Sequence, residues 1–434
     1  MNRIHAENVS KNKGKKVLVS GWVHEIRDLG KLKFLILKDK TGIVQITMPK
    51  GHVPEKAMKA SEKLTKETVI SVVGEVKEAK QAPTGFEIVP EKLEVLSLAN
   101  APTPIDTSGK IETDLSKRLD HRFLDLRNEK SLAVFKVRSK FFKALVEFFD
   151  KEGFTNVNTP KITSAGAESG SELFPVVYFE KQAFLSQSPQ LYKQTLVCSG
   201  FERVYEIAPV FRAENSNTPR HQTEFTGVDF EMGFIKDTGD IMDVIEEMIK
   251  HCLKRLKEDC KNEFKAWKLD LKVPKKIPRI TLAEAKKMLA AEGKNIPEKE
   301  DLDSEGEKML GEIVKKKFGE EFVFVTNYPV EKRPFYHYYS KDGKTTDAFD
   351  LLWNGVEIAT GGQREHRYEI LKKQAKEKGV NLDEMGFYAE IFKYGCPPHG
   401  GVGFGLDRMV QRLFEFDNIR ETVLFPRDPD RIMP

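Results

Sequence analysis

The sequence predicts a multidomain protein in which a small all-β barrel precedes a larger α+β domain with a mostly antiparallel sheet. Three observations carry that reading. Short β-branched runs recur through the first hundred residues, a proline- and glycine-rich stretch follows, and beyond it strand-like runs alternate with amphipathic helices. A chain of 434 residues is long enough for two or three domains, each with its own core.

Strands are expected over 17–26, 34–37, 43–47, 68–73 and 86–96, separated by turn signals such as Asp39-Lys40-Thr41-Gly42. Between the third and fourth, Ala57, Met58, Ala60 and Leu64 recur at helical spacing, so the order is β-β-β-α-β-β. That order belongs to a Greek-key barrel of the OB type, which commonly takes single-stranded nucleic acid on its exposed face and also occurs as a spacer. The first domain is therefore set at 1–100. Residues 101–130, with two prolines, a glycine and small polar residues at their start, are expected to form a linker or hinge with little to pack. The second domain, 131–434, opens with a helix over 131–151. Its apolar side carries Val134, Phe135, Val137, Phe141, Phe142, Leu145, Phe148 and Phe149, and Gly153 provides a C-terminal stop. The helical, lysine-rich stretch at about 236–344 reads as an elaboration outside the central sheet.

Hydrophobic residues make up 39% and charged residues 32%, and no apolar run approaches the ~20 residues of a membrane span. The polar N-terminus shows no signal segment, so a cytoplasmic protein with no membrane partner is expected. Cys198, Cys252, Cys260 and Cys396 include no Cys-x-x-Cys pair; buried reduced thiols are expected for all four, with neither disulfide nor structural zinc. Lys and Arg total 71 against 67 Asp and Glu, a net +4. The first hundred residues hold 18 basic and 12 acidic side chains, which suits a bound polyanion and equally suits lysines solvating a surface.

The chemistry-bearing residues cluster twice. Phe211-Arg212-Ala213-Glu214, Arg220-His221 and Glu224-Phe225 through Asp229 read as strand, polar loop, strand, with guanidinium donors shaped for a polyphosphate and an aromatic ring able to stack a base. Near the C-terminus, Gly400-Gly401-Val402-Gly403-Phe404-Gly405-Leu406-Asp407-Arg408 combines close backbone approach with an arginine opening a helix, where anions are favoured. Taken singly, Arg212 could equally make a surface ion pair, and the glycines could pack a strand on a helix.

Together with Pro160 after the amphipathic helix, these segments resemble, in order, the three signature motifs of class II aminoacyl-tRNA synthetases. The barrel ahead of them indicates the aspartyl, asparaginyl and lysyl subgroup. Gln187-Ser188-Pro189-Gln190-Leu191-Tyr192-Lys193 and Gly361-Gly362-Gln363-Arg364-Glu365-His366-Arg367 are similar to the aspartate-binding segments of aspartyl-tRNA synthetases of the archaeal and eukaryotic type. The resemblance implies an ATP-dependent ligation of L-aspartate to tRNA through an aspartyl-adenylate. It places Arg212 and Arg408 as catalytic residues and adds Glu214, Arg220, His221, Phe225 and Glu357 around ATP. Glu168, Gln190, Lys193, Asp229 and Arg364 are implied for aspartate, two cations suiting a carboxylate better than a carboxamide. Asp350, Glu357 and Thr360, the last where relatives often carry serine, are implied for Mg²⁺. In the barrel, Arg27, Phe34, Gln45 and Glu87 are implied at the anticodon; the composition alone would also allow Phe34 in the barrel core. The motif built on the amphipathic helix and Pro160 implies a homodimer.

His24 and Pro83 stand where discriminating archaeal relatives have a tryptophan and a lysine. The resemblance thus implies that tRNA(Asn) is charged as well as tRNA(Asp). An asparaginyl enzyme is the nearest rival, opposed by Lys193, His366 and Phe425-Pro426-Arg427-Asp428. A paralogue that binds tRNA without catalysis would have lost Arg212, Glu357 or Arg408, and a tRNA-independent asparagine synthetase would lack the barrel.

Overall fold

Alternation builds the first unit of the computed structural model, which describes all residues except 165–172, 216–217 and the side chain of Glu384. Strands β1 (Lys16–Asp28), β2 (Leu32–Asp39), β3 (Gly42–Pro49), β4 (Val69–Glu78) and β5 (Phe86–Ser97) close into a barrel in the order β1-β2-β3-β5-β4, with α1 (Glu55–Glu62) between β3 and β4. Every second residue points inward: Val17, Val19 and Val23 of β1, Leu35 and Leu37 of β2, Val44 and Ile46 of β3. Closure leaves no unpaired sheet edge, as the sequence order requires.

Contacts divide the chain into Met1–Asn128 and Glu129–Pro434. Residues 101–128 are not the loose stretch that their composition suggests. α2 (Leu115–Asp120) and α3 (Arg122–Asp125) fold within the first unit, and Ile105, Leu119 and Leu124 are buried. The cause is a long-range partner: the buried Glu67 carboxylate accepts from Thr107 at 2.5 Å and from Arg127 at 2.8 Å. Local composition holds no trace of that pairing.

The second unit opens with α4 (Glu129–Lys151), two residues longer at its start than expected. Val134, Val137, Phe141, Leu145, Phe148 and Phe149 are buried as expected, whereas Phe142 is exposed. Gly153, at φ +74°, ends the helix, and the Phe154 N–H donates back to the Phe149 carbonyl at 2.9 Å. There follow β6 (Thr155–Asn156), β7 (Ile162–Thr163), β8 (Pro175–Tyr178), β9 (Lys181–Leu185), α5 (Gln190–Leu196), β10 (Arg203–Phe211), β11 (Glu224–Gly233), α6 (Thr238–Asp259) and α7 (Lys261–Trp267). After β12 (Arg279–Thr281) come α8 (Leu282–Ala291), α9 (Ser304–Phe318), β13 (Phe322–Thr326), β14 (Ala348–Trp353), β15 (Val356–Arg364), α10 (Tyr368–Glu377), α11 (Gly386–Ile391), β16 (His399–Gly405) and α12 (Leu406–Leu413).

Eight of these strands form one sheet, in the order β12-β13-β14-β15-β16-β11-β10-β6, parallel only at its two ends. α4 and α6 cover it, with Phe149 stacked on Tyr205 at 4.5 Å between ring centres. The stretch at 236–344 does not lie wholly outside this sheet, because β12 is one of its edge strands and β13 the strand next to it. Phe322, Val323, Phe324 and Val325 are all buried, the continuous apolar run of a strand covered on both faces. The lysine-rich solvent faces of the neighbouring helices hide that run from a compositional reading.

Cys252 and Cys260 are buried free thiols, as expected, and burial pushes the Cys260 thiol up to about 12. Cys198 and Cys396 depart from the expectation: they pair as a disulfide. Their separation of 198 residues is closed by the topology, which brings the turn after α5 beside the segment entering β16.

α9 rests backbone to backbone on the β14–β15 turn. A Cβ on Gly355, at φ +69°, would stand 2.6 Å from the Glu307 carbonyl oxygen and from the Lys308 Cα. Gly355→Ala is therefore expected to destabilise the protein by about 2 kcal/mol or more, from the positive φ and the backbone clash together, and denaturant unfolding measures it.

Candidate active site

β10 and β11 pair antiparallel from Arg203↔Met232 to Phe211↔Glu224, which is the strand, loop, strand order expected. Where β10 ends, the Arg212 N–H donates to the Thr223 carbonyl at 3.0 Å. That anchor sets the Arg212 guanidinium 5.4 Å from the centre of the Phe225 ring, and its buried Nε has no acceptor among the described residues. Across the loop, Thr218 Oγ1 lies 2.5 Å from His221 Nδ1, and His221 Nε2 lies 3.7 Å from the Glu214 carboxylate. Burial holds the His221 imidazole below its ordinary value.

Arg408, in the first turn of α12, donates to the Glu357 carbonyl at 3.0 Å and stands 3.5 Å from its carboxylate. Arg212, Glu214, Arg220, His221, Phe225, Glu357 and Arg408 line a single cavity of about 410 Å³, and Gln190, Asp229, Thr360 and Arg364 line it too. Asp407, beside Arg408, fixes the frame. Its buried carboxylate accepts from Arg138 of α4 at 2.8 Å and from the Thr226 N–H of β11 at 2.9 Å, joining three elements at one point. The sequence reading passed over Arg138, because nothing local connects it to a residue 269 positions away.

The β14–β15 hairpin supplies the acidic side. Asp350 is directly opposite Thr360. Glu357 and Thr360, three apart, would point to opposite faces of a regular strand. The register slips between Leu351 and Leu352, leaving Ile358 as the extra residue of a bulge, and the Thr360 hydroxyl comes to donate to Glu357 Oε1 at 3.3 Å. Burial and the neighbouring Asp350 push Glu357 up from the usual carboxylate range. Arg333, which the sequence reading missed, donates to Asp350 Oδ2 at 2.5 Å and lies 3.8 Å over the Tyr328 ring. The other oxygen, Asp350 Oδ1, is a buried acceptor with no partner among the described residues.

At the other end, Lys193 of α5 donates to Asp229 at 2.9 Å and to the Val402 carbonyl at 3.0 Å. It sits one layer behind the cavity wall, with Asp229 in front. Behind both lies Glu231, fully buried, 3.4 Å from Lys193 and 3.0 Å from the Arg364 Nε. Burial alone would raise the Glu231 carboxyl; Arg364 first and then Lys193 outweigh it and hold it below the usual range. Arg364 also meets His337 Nε2 at 2.9 Å and Gln190 Oε1 at 3.4 Å. Burial and the Arg364 charge keep His337 neutral, so its Nε2 can accept. Glu231 and His337 carried no separate signal in the sequence, although Glu231 follows Asp229 at the spacing of one strand face. Glu168 lies outside the described residues.

In the barrel, β1 pairs Arg27 with Phe34 of β2, β2 pairs Phe34 with Thr47 of β3, and β3 pairs Gln45 with Glu87 of β5. All face away from the core, so Phe34 is not a core residue. Gln45 donates to the Glu87 carboxylate at 3.2 Å. His24 sits at the bulge in β1, and Pro83 is exposed in the β4–β5 connection.

His399 opens β16 fully buried, with Nδ1 2.9 Å from the Pro397 carbonyl and Nε2 3.2 Å from Gln194 Oε1. Burial pulls it from 6.5 down to about 4. Between those values the unfolded chain binds a proton that the folded one refuses, so stability falls as pH drops through that window, by up to about 3 kcal/mol. His399→Gln is expected to flatten that part of the stability-against-pH curve, which denaturant titrations between pH 4 and 7 measure.

The model of the family "tRNA synthetases class II (D, K and N)" matches residues 114–429, and that of the "OB-fold nucleic acid binding domain" matches residues 17–96. The aspartate–tRNA(Asp) ligase of Pyrococcus horikoshii is 48% identical over 97% of each chain. The aspartate–tRNA(Asp/Asn) ligase of Methanopyrus kandleri is also 48% identical, over 97% of this chain and 96% of that one. Among solved structures, asparaginyl-tRNA synthetase from P. horikoshii complexed with asparaginyl-adenylate superposes with a TM-score of 0.94, covers all of both chains and is 33% identical. The arginine-lined cavity on an antiparallel sheet, the barrel ahead of it and these similarities place the chain in the class II tRNA synthetase family of the aspartate, lysine and asparagine group.

Proposed function

We propose that the protein is an aspartate–tRNA ligase that charges tRNA(Asp) and tRNA(Asn). The observation that carries the amino-acid assignment is the charge cluster at and behind the cavity wall formed by Gln190, Asp229 and Arg364. Lys193 and Arg364 balance Asp229 and Glu231, and Gln190 Nε2 is a buried donor with no acceptor among the described residues. An aspartate entering there brings an ammonium for Asp229 and a second carboxylate for the Lys193–Arg364 side. A carboxamide gains little from two cations. Similarity supports the same choice, since 48% identity to aspartate ligases exceeds the 33% to the asparaginyl enzyme.

The aspartate α-carboxylate attacks the α-phosphorus of ATP and pyrophosphate leaves; a ribose hydroxyl at the tRNA terminus then attacks the aspartyl-adenylate. No protein nucleophile is needed. Arg212 neutralises charge at the α-phosphate, Phe225 stacks the adenine, Glu214 joins the ATP site, and Arg220, His221 and Arg408 meet the outer phosphates. Asp350 with its orphaned Oδ1, Glu357 and the Thr360 hydroxyl form a hard-oxygen set that fits Mg²⁺. When bound there, Mg²⁺ would supply charge neutralisation for the phosphates. Glu168 is assigned to the segment over bound aspartate.

The outward row of Arg27, Phe34, Gln45 and Glu87 suits a splayed-out anticodon, with Phe34 stacking a base and Gln45 reading an edge. The two anticodons differ by C against U at one position, and His24 and Pro83 offer neither a bulky ring nor a long cation against the wrong one. The M. kandleri relative has the same double specificity in its name. Exposed Phe142, Pro160 and Ile162 supply apolar surface for a homodimer. No helix among the described residues is long and apolar enough to cross a membrane, and the reading places the protein in the cytoplasm.

ATP–pyrophosphate exchange should respond to aspartate and not to asparagine; the reverse result would establish the asparaginyl reading. Lys193→Leu should lower aspartate-dependent exchange by about 10²–10⁴, since Asp229 and Glu231 lose their shared cation. In charging assays the preference for tRNA(Asp) over tRNA(Asn) should stay below about a hundredfold, and His24→Trp with Pro83→Lys should raise it.

A further inference from the structure

We propose that Glu307, with Ser304, is a positioning residue for ATP, holding the Arg220 guanidinium at the rim of the cavity from behind. The proposal rests on the assignment of Arg220 to the outer phosphates. Both partners belong to α9, part of the stretch that shows no catalytic motif in the sequence. Arg220 Nη1 donates to Ser304 Oγ at 2.9 Å and to the Glu307 carboxylate at 3.3 Å. Arg220 lines the cavity, whereas Ser304 and Glu307 do not. Among the described residues the two contacts occupy one terminal nitrogen and leave Nη2 and Nε of the fork for a ligand in front.

An arginine on a loop has many rotamers, and a guanidinium that must be ordered at the moment of binding loses affinity to that ordering. Two acceptors on a rigid support remove most of the freedom beforehand. The support is rigid here: a Cβ on Gly311 would stand 2.5 Å from the Gly355 amide nitrogen, so α9 is seated on the same hairpin that carries Asp350 and Glu357. The helix thus fixes Arg220 relative to the acidic side of the site. Glu307 also feels that side directly. Burial and the nearby Glu357 push its carboxyl up to about 7, against the opposing pull of Arg220. A guanidinium between Glu307 and the cavity separates this charge from an incoming triphosphate.

The test is ATP–pyrophosphate exchange and direct ATP binding by calorimetry for the full-length chain carrying Glu307→Gln, Ser304→Ala, Arg220→Ala or Arg220→Ala with Glu307→Gln. Glu307→Gln should raise the KM and Kd for ATP about tenfold, the scale of one charge-assisted contact, with the KM for aspartate within about twofold of wild type. Ser304→Ala, at an exposed helix start, should move the same constants less in the same direction. In the Arg220→Ala background, Glu307→Gln should add nothing. An unchanged Kd for ATP, equal changes in both KM values, or the full effect of Glu307→Gln persisting without Arg220 would overturn the proposal. The calorimetric arm distinguishes this failure from failure of the ligase reading, which shows instead as a wild-type protein that gives no aspartate-dependent exchange.

Discussion

A carboxylate with no access to water, Glu231, organises the second unit. It stands on β11 between Lys193 of α5 and Arg364 of β15, and a Cβ on Gly401 of β16 would lie 2.2 Å from its Oε2. An isolated buried charge is prohibitively costly, so these elements must meet with their cations in place or the carboxylate has no tolerable environment. Four elements are thereby held in one relation. The same pairing orients Arg364 toward Gln190 and His337 and holds Lys193 against Asp229. The groups that would recognise an amino acid are consequences of how the interior charge is balanced.

The side proposed for the phosphates follows a related logic with a different anchor. Asp407 ties α4, β11 and α12 together and carries the next residue, Arg408, onto Glu357. Around the cavity, Arg220 pairs with Glu307, Arg333 with Asp350 and Arg408 with Glu357, so under the proposed function a polyanion would meet fixed cations backed by fixed carboxylates. Such preorganisation stabilises developing charge without reorganising at the moment of reaction. The bulge at Ile358 is the local price of setting Glu357 and Thr360 on one side.

Much of this was legible in the chain. The period-two alternation of the barrel and the apolar stripe of α4 report local geometry, because side-chain direction along a strand or helix is fixed by the backbone repeat. Arg212, Arg408 and Asp350 could be picked out because each lies in a short segment where charges occur beside glycines or turn-forming residues. Other features were illegible for a definite reason. Phe142 shares the stripe but meets solvent, Glu67 draws in a stretch whose composition looks loose, and β13 is masked by lysines on the helices beside it.

The sequence by itself determined the two-unit order, the barrel and the antiparallel sheet, while the charged groups at the cavity other than Arg333 were named through the resemblance to the synthetase family. The first three depend on periodicity and on residue types within a few positions of one another. Only the tertiary structure decided that Arg138 serves Asp407, that Arg333 clamps Asp350, that Cys198 meets Cys396 and that α9 brings Glu307 to Arg220. The physical reason is the same in each case. A buried charge, thiol or hydrogen-bond donor is indifferent to sequence distance, and its partner is whichever group the packing of distant elements sets beside it.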